Sequence, residues 1–162
     1  MSTHTSAIEE GKSAPDFRLL DQDNTEVSLQ SFRGRHLILY FYPKDDTPGC
    51  TKEACGFRRL YDRFARANTA IVGVSPDKSE SHARFRNKYD LPFSLLSDPD
   101  KQLMITCGAW GEKNMYGKKV VGVIRSTLWI DPEGRVRKHW KKVSRAADHP
   151  QKVLELVEQE AS

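Results

Sequence analysis

The sequence predicts an α/β fold, a sandwich of helices around a mixed central sheet. Three observations carry the prediction. Residues 36–42 and 69–74 are near-continuous apolar runs, the pattern of strands buried on both faces. Segments with helical periodicity alternate with these strands. Turn-rich hairpin signatures lie near both ends of the chain.

In chain order, residues 1–12 are polar and aperiodic and are expected to form a flexible tail, leaving 13–162 as a single domain. Residues 16–20 and 26–29 flank Asp21-Gln22-Asp23-Asn24 and predict an N-terminal β-hairpin. The run Leu37-Ile38-Leu39-Tyr40-Phe41-Tyr42 predicts a buried strand that Pro43 ends. Over 51–67, Ala54, Phe57, Tyr61 and Phe64 recur at three- and four-residue steps and form the apolar stripe of a helix. After the strand at 69–74, Ser75-Pro76-Asp77 signals entry to a polar helix over 78–89. Residues 91–96 predict a further strand, and Ser97-Asp98-Pro99-Asp100 opens a short helix through Met104 and Ile105. Gly108, Gly111 and Gly117 predict a loop. Residues 120–130 and 135–140 flank Asp131-Pro132-Glu133-Gly134, a strong hairpin turn. Residues 149–160 predict a final amphipathic helix with Val153, Leu154 and Val157 on its apolar face.

The 162 residues suffice for one hydrophobic core. No apolar run approaches the roughly 18 residues that span a bilayer, and residues 1–12 lack the apolar segment of a secretion signal. The expectation is a cytoplasmic protein that does not engage membranes. The net charge of +4 is mild and points to a basic soluble enzyme before a nucleic-acid binder. Three cysteines, Cys50, Cys55 and Cys107, are too few and of the wrong parity for a disulfide scaffold. A zinc site is disfavoured because no second close cysteine pair accompanies Cys50 and Cys55.

Cys50 falls where a buried strand hands over to a helix. Unpaired backbone N–H groups at a helix start favour negative charge, and the thiolate is the nucleophilic form of cysteine. Open α/β sheets place their crevices beyond the carboxyl ends of strands. Thr47, three residues earlier across Pro48-Gly49, carries a hydroxyl that can accept and donate, and so can reach the sulfur or orient a molecule bound beside it. It can equally cap the helix. Arg125 lies inside the apolar run 120–130, where a guanidinium needs an anionic partner, either a carboxylate or a thiolate.

These residues carry a resemblance. Pro43-x-x-x-Thr47-x-x-Cys50 is similar to the peroxiredoxin active-site motif. The longer string from Phe41 to Cys55 resembles the peroxiredoxin Q, or bacterioferritin comigratory protein, subfamily. Ala14-Pro15-Asp16-Phe17, Trp110-Gly111-Glu112-Lys113 and the stretch from Gly122 to Thr127 agree, so the resemblance covers nearly the whole chain past the tail. It implies a thioredoxin-like α/β/α sandwich and a thiol peroxidase acting on hydrogen peroxide and organic hydroperoxides. It implies that Cys50 attacks the peroxide, that Thr47 and Arg125 activate it, and that Pro43 shields it. It further implies Cys55 as the resolving partner in a Cys50–Cys55 disulfide, recycling by thioredoxin or a similar dithiol, a monomer, and no metal or organic cofactor.

The residues themselves place Cys55 about 140° around the helix from Cys50, with Arg59, Asp62 and Arg66 and away from the apolar stripe. Cys107 reads as packing filler. The basic run Arg135, Arg137, Lys138, Lys141, Lys142 and Arg145 reads as a solvated hairpin edge, with a nucleic-acid patch as the sharper alternative. The competing enzymatic reading is a thioredoxin-like disulfide oxidoreductase, whose two cysteines are ordinarily separated by two residues; here there are four.

Overall fold

In a computed structural model that describes residues 8–160, nine strands and five α-helices alternate along the chain. Seven strands form one mixed sheet in the order β2-β1-β5-β4-β3-β8-β9. Its middle strand is β4 (Thr69–Ser75), which is parallel to β3 (His36–Phe41) on one side and to β5 (Ser94–Ser97) on the other. β8 (Ser126–Ile130) joins the other side of β3 antiparallel, followed by β9 (Val136–Trp140) at one edge. The N-terminal hairpin, β1 (Arg18–Leu20) and β2 (Glu26–Ser28), forms the opposite edge.

The apolar runs behave as their composition predicts. Successive side chains of β3 point to opposite faces: Leu37, Leu39 and Phe41 enter one core, Ile38 and Tyr40 the other. Helices α1 (Pro48–Arg59), α2 (Tyr61–Arg66), α3 (Ser79–Lys88) and α5 (His149–Glu160) bury Phe57, Phe64, Phe85 and Val153 in the second core. Leu103 and Met104 of α4 (Gln102–Thr106) enter the first. Each face is covered, as the α/β/α sandwich requires. Gly73 lets Tyr40 lie flat on the sheet, because a Cβ there would sit 2.9 Å from the tyrosine ring.

The structure changes four expectations. Residues 1–7 of the predicted tail lie outside the described residues. Residues 8–12 are held to the domain: Ile8 is buried, and Gly11 and Lys12 exchange backbone hydrogen bonds with Val136. They cover part of the β9 edge. The helix predicted over 51–67 starts three residues earlier and divides at Leu60, whose amide closes onto the Phe57 carbonyl in a tighter turn. The glycine-rich loop is a two-stranded sheet, β6 (Trp110–Met115) with β7 (Lys118–Val123). Its turn residues Tyr116 and Gly117 both have positive φ, 53° and 80°, as a two-residue hairpin turn demands. Finally, the run 120–130 is two strands: β7 ends at Val123 and β8 begins at Ser126.

Candidate active site

Arg125 therefore stands at a corner between two sheets and not inside a core strand. Its position follows from strand pairing. β8 runs antiparallel to β3 with Ser126 opposite Phe41, so the start of β8 lies beside the end of β3. The chain leaving β3 turns through 43–47 into α1, and Cys50 is the third residue of that helix. Two residues 75 apart in sequence thereby meet: Arg125 Nη2 donates to Cys50 Sγ at 3.3 Å. Gly49 permits the approach, since a Cβ there would lie 3.2 Å from the same nitrogen.

The second arm of Arg125 is engaged as well. Its Nη1 donates to Glu53 Oε1 at 2.6 Å. Both sequence readings of Arg125 hold at once, because it bridges a sulfur and a carboxylate. Glu53 is fully buried, and burial pushes its carboxyl up to about 7 against the opposing pull of the Arg125 charge. Its Oε2 has no partner among the described residues. Burial works against the Arg125 charge too, but Glu53 and Cys50 outweigh it and hold the guanidinium protonated. Sequence reasoning passed over Glu53. The available signal was its spacing: residues 50, 53 and 57 share one helix face, so a charged group stands in line with buried Cys50 and Phe57.

Thr47 occupies the N-cap position in extended conformation, but its side chain makes no capping hydrogen bond. The hydroxyl donates to the Lys44 carbonyl at 2.8 Å. With its hydrogen committed, that oxygen is left as an acceptor at the start of α1. Pro43 begins the same loop and is half-buried.

The loop is pinned from both sides by its two aspartates. Asp45 is buried and accepts from Tyr42 Oη at 2.5 Å and Ser81 Oγ at 2.7 Å, with His82 Nδ1 at 2.7 Å. His82 in turn donates from Nε2 to the Leu96 carbonyl, tying loop, α3 and β5 together. Asp46 adopts positive φ and points outward to Lys88 Nζ and Tyr89 Oη, at 2.7 and 2.8 Å. Asp45, Asp77 and His82 also cluster with metal-ligand geometry, but the same ligand atoms are engaged in hydrogen bonds, Asp77 Oδ2 with Ser75 Oγ and the Asp45 amide. No cysteine belongs to that cluster.

Cys50 is 1% exposed and Cys55 half-buried, both within α1 and both free thiols. Cys107 is fully buried in the opposite core. Burial, then the nearby Asp98 charge, pushes its thiol up to about 12, which leaves it protonated and inert. Cys107→Ala should keep full peroxide turnover with a dithiol reductant while losing about 1 kcal/mol of stability. Steady-state assay and thermal unfolding check both parts, and loss of turnover in a folded variant would make Cys107 the resolving thiol.

Residues 11–139 match the AhpC/TSA family model. The chain belongs to the AhpC/TSA family. Among its relatives in the bacterioferritin comigratory group of that family, peroxiredoxin Bcp of Bacillus subtilis is 44% identical over 150 residues, covering 93% of this chain and 95% of the relative. The structure of Xanthomonas campestris peroxiredoxin Q matches with a TM-score of 0.86 at 39% identity, covering 99% of this chain and all of that one. A Xanthomonas campestris bacterioferritin comigratory protein structure, solved to examine alkyl peroxide reduction, matches with the same TM-score and identity over 98% of this chain and all of that one. This peroxiredoxin Q homologue is accordingly a thiol-dependent peroxidase of thioredoxin-like fold, acting on hydroperoxides at the expense of thiol reductants.

Proposed function

We propose that Cys50 is the thiol of this peroxiredoxin that attacks the hydroperoxide. The observation that carries the assignment is the 3.3 Å hydrogen bond from the Arg125 guanidinium to Cys50 Sγ. A fixed positive charge stabilises the thiolate, and the same charge polarises the O–O bond of a bound peroxide. Thr47 accepts the peroxide O–H. The sulfur attacks that same hydroxyl-bearing oxygen, the O–O bond breaks, and the far oxygen takes a proton and leaves as water or alcohol. Cys50 becomes a sulfenic acid. Pro43 limits water at the sulfur, and Glu53 holds Arg125 in place.

Cys55 then attacks the sulfenic acid, water leaves, and a Cys50–Cys55 disulfide forms. Thioredoxin or a similar dithiol reduces it. The working form is taken as a monomer in the cytoplasm, where reduced dithiols are plentiful. Peroxide-dependent oxidation of NADPH in the presence of thioredoxin and thioredoxin reductase tests the whole cycle, and absence of turnover with any dithiol protein would refute it.

The disulfide cannot form on the helix as it stands. Five residues of regular helix separate the two Cα atoms by roughly 8.6 Å. A disulfide needs them within about 7 Å with converging Cβ vectors. Oxidation must therefore unwind α1 from Cys50 to about Phe57. The first turn resists weakly, because Pro48 and Gly49 contribute little helical preference. Unwinding also breaks the Tyr40–Phe57 stack at 4.8 Å and the tight Gly56–Pro150 contact with α5. Amide hydrogen exchange over residues 50–58 should be faster in the disulfide form than in the reduced form. Equal protection, with the bond verified by mass spectrometry, would rule the switch out.

A further inference from the structure

His82 is a fully buried histidine on α3 that no step of the peroxide reaction uses. Both of its ring nitrogens face acceptors. Nε2 lies 2.9 Å from the Leu96 carbonyl of β5, and Nδ1 lies 2.7 Å from Asp45 Oδ2 in the loop between β3 and α1. A carbonyl only accepts, so Nε2 carries a hydrogen. The Asp45 carboxylate already accepts on Oδ1 from Tyr42 and on Oδ2 from Ser81, so Nδ1 donates as well. Asp77 brings a second carboxylate within 4.8 Å of the same ring nitrogen. The ring is thus held with hydrogen on both nitrogens, one directed at a strand and the other at the loop.

That loop carries Pro43 and Thr47 to the start of α1. Its two aspartates anchor it unequally. The Asp46–Lys88 pair is exposed on both sides and screened by water, whereas Asp45 and His82 are shielded from it. The buried contact therefore decides where the loop lies. The Asp45 amide adds a hydrogen bond to Asp77 Oδ2 at 2.8 Å. Lys44, next to Asp45, supplies the carbonyl that takes the Thr47 hydroxyl hydrogen. A displaced Asp45 thus displaces the Thr47 oxygen, although His82 forms no hydrogen bond with Thr47 itself.

We infer that His82 is a positioning residue for the peroxide step: through Asp45 it holds the loop so that the Thr47 oxygen stands beside the bound hydroperoxide. The inference rests on the peroxidase reading. Misplacing a substrate-orienting group by about 1 Å costs on the order of 10²-fold in rate, and loosening one anchor among several costs less, about tenfold. The thiolate is spared, because Arg125 and Glu53 meet Cys50 through contacts that do not pass through Asp45 or His82. The competing role for His82 is a staple between α3 and β5 through the Leu96 carbonyl alone.

Two substitutions separate the roles, because asparagine carries its amide nitrogen near the place of Nδ1 and glutamine near that of Nε2. His82→Asn keeps a donor for Asp45 and gives up Leu96. His82→Gln does the reverse, while matching the volume of histidine more closely. Sulfenate formation on Cys50 should be about tenfold slower in His82→Gln and within about threefold of wild type in His82→Asn. Alkylation of Cys50 by iodoacetamide, which does not use Thr47, should keep its wild-type rate in both. Ser81→Ala removes one donor from Asp45 and leaves His82 in place. It should show the same selective loss at about threefold, and it carries the test if His82→Gln does not fold. The reverse order, with glutamine near wild type and asparagine impaired, makes His82 a staple to β5 and overturns the inference. Equal losses in the two variants, or alkylation that changes in step with sulfenate formation, overturn it as general damage to the fold. Two readouts need no turnover. Ring nitrogen resonances of wild-type His82 at neutral pH should show hydrogen on both nitrogens, and amide exchange over residues 44–47 should be faster in His82→Gln. A bare ring nitrogen or unchanged exchange overturns the inference. If the wild type forms no sulfenate while exchange still quickens in His82→Gln, the peroxidase reading fails and the loop anchor stands apart from it.

Discussion

Cys50→Ser should abolish peroxide reduction, with a loss on the order of 10³-fold or more, the scale expected when a reaction loses its nucleophile. The serine hydroxyl would keep the position at the third residue of α1 and still receive Arg125, but an alcohol is barely ionised at neutral pH and cannot be oxidised to the sulfenic acid the cycle requires. The fold should tolerate the change, since the buried site already supplies a hydrogen-bond donor in Arg125. Peroxide consumption, together with a sulfenic-acid trap followed by mass spectrometry, measures the outcome. A serine variant with wild-type circular dichroism and most of its activity would place the chemistry on another thiol.

Arg125→Ala should slow sulfenate formation by about 10²-fold, comparable to the removal of one charge-stabilising donor from an active site. Alkylation of Cys50 at neutral pH should slow in the same variant. The substitution also has a pH-dependent effect on stability that distinguishes this site from a surface arginine. Glu53, already raised to about 7 by burial, loses both opposing influences of Arg125 and rises further. A carboxyl raised in the folded state binds its proton more tightly there than in the unfolded chain. Its stabilising effect is full below the unfolded value near 4.5 and is lost as pH rises through the folded value. Below about pH 7 Glu53 is neutral in both proteins, and the variant suffers mainly from lost packing. Above pH 7 the wild type ionises Glu53 beside Arg125, whereas the variant must keep it protonated. The stability gap should therefore widen by up to about 1.4 kcal/mol per pH unit until the variant's Glu53 titrates. Thermal unfolding of both proteins at pH 6 and pH 8 checks this, and a gap independent of pH would remove Glu53 from the pairing.

These two results bear on one triad, Cys50–Arg125–Glu53, whose members differ in how visible they are in the sequence. Cys50 is legible because its signals are local: an apolar run, a proline that ends it, then a helix. Helix spacing also keeps Cys55 off the buried stripe, and it is half-buried in the structure as that spacing predicts. The principal strands, the amphipathic α5 and both terminal hairpins follow from periodicity and turn residues for the same reason. Each is decided by neighbours a few positions away in the chain.

What only the tertiary structure decided depends on residues far apart. The sequence determined that Arg125 needs an anion, because a guanidinium in apolar surroundings must be paired. The antiparallel register of β8 on β3 determined which anions, by setting Ser126 against Phe41 and so bringing Arg125 to the start of α1. The break between β7 and β8 was illegible because both halves are equally apolar, and periodicity does not register a strand leaving one sheet for another. Glu53 shares a helix face with Cys50 and Phe57, but that its carboxylate would be fully buried against Arg125 was decided by packing. The Asp45–His82 contact, spanning 37 residues, arises where separate elements are pressed together. Local propensity specifies the elements and the position of Cys50, the proposed nucleophile; the long-range packing of those elements specifies the charges set against it.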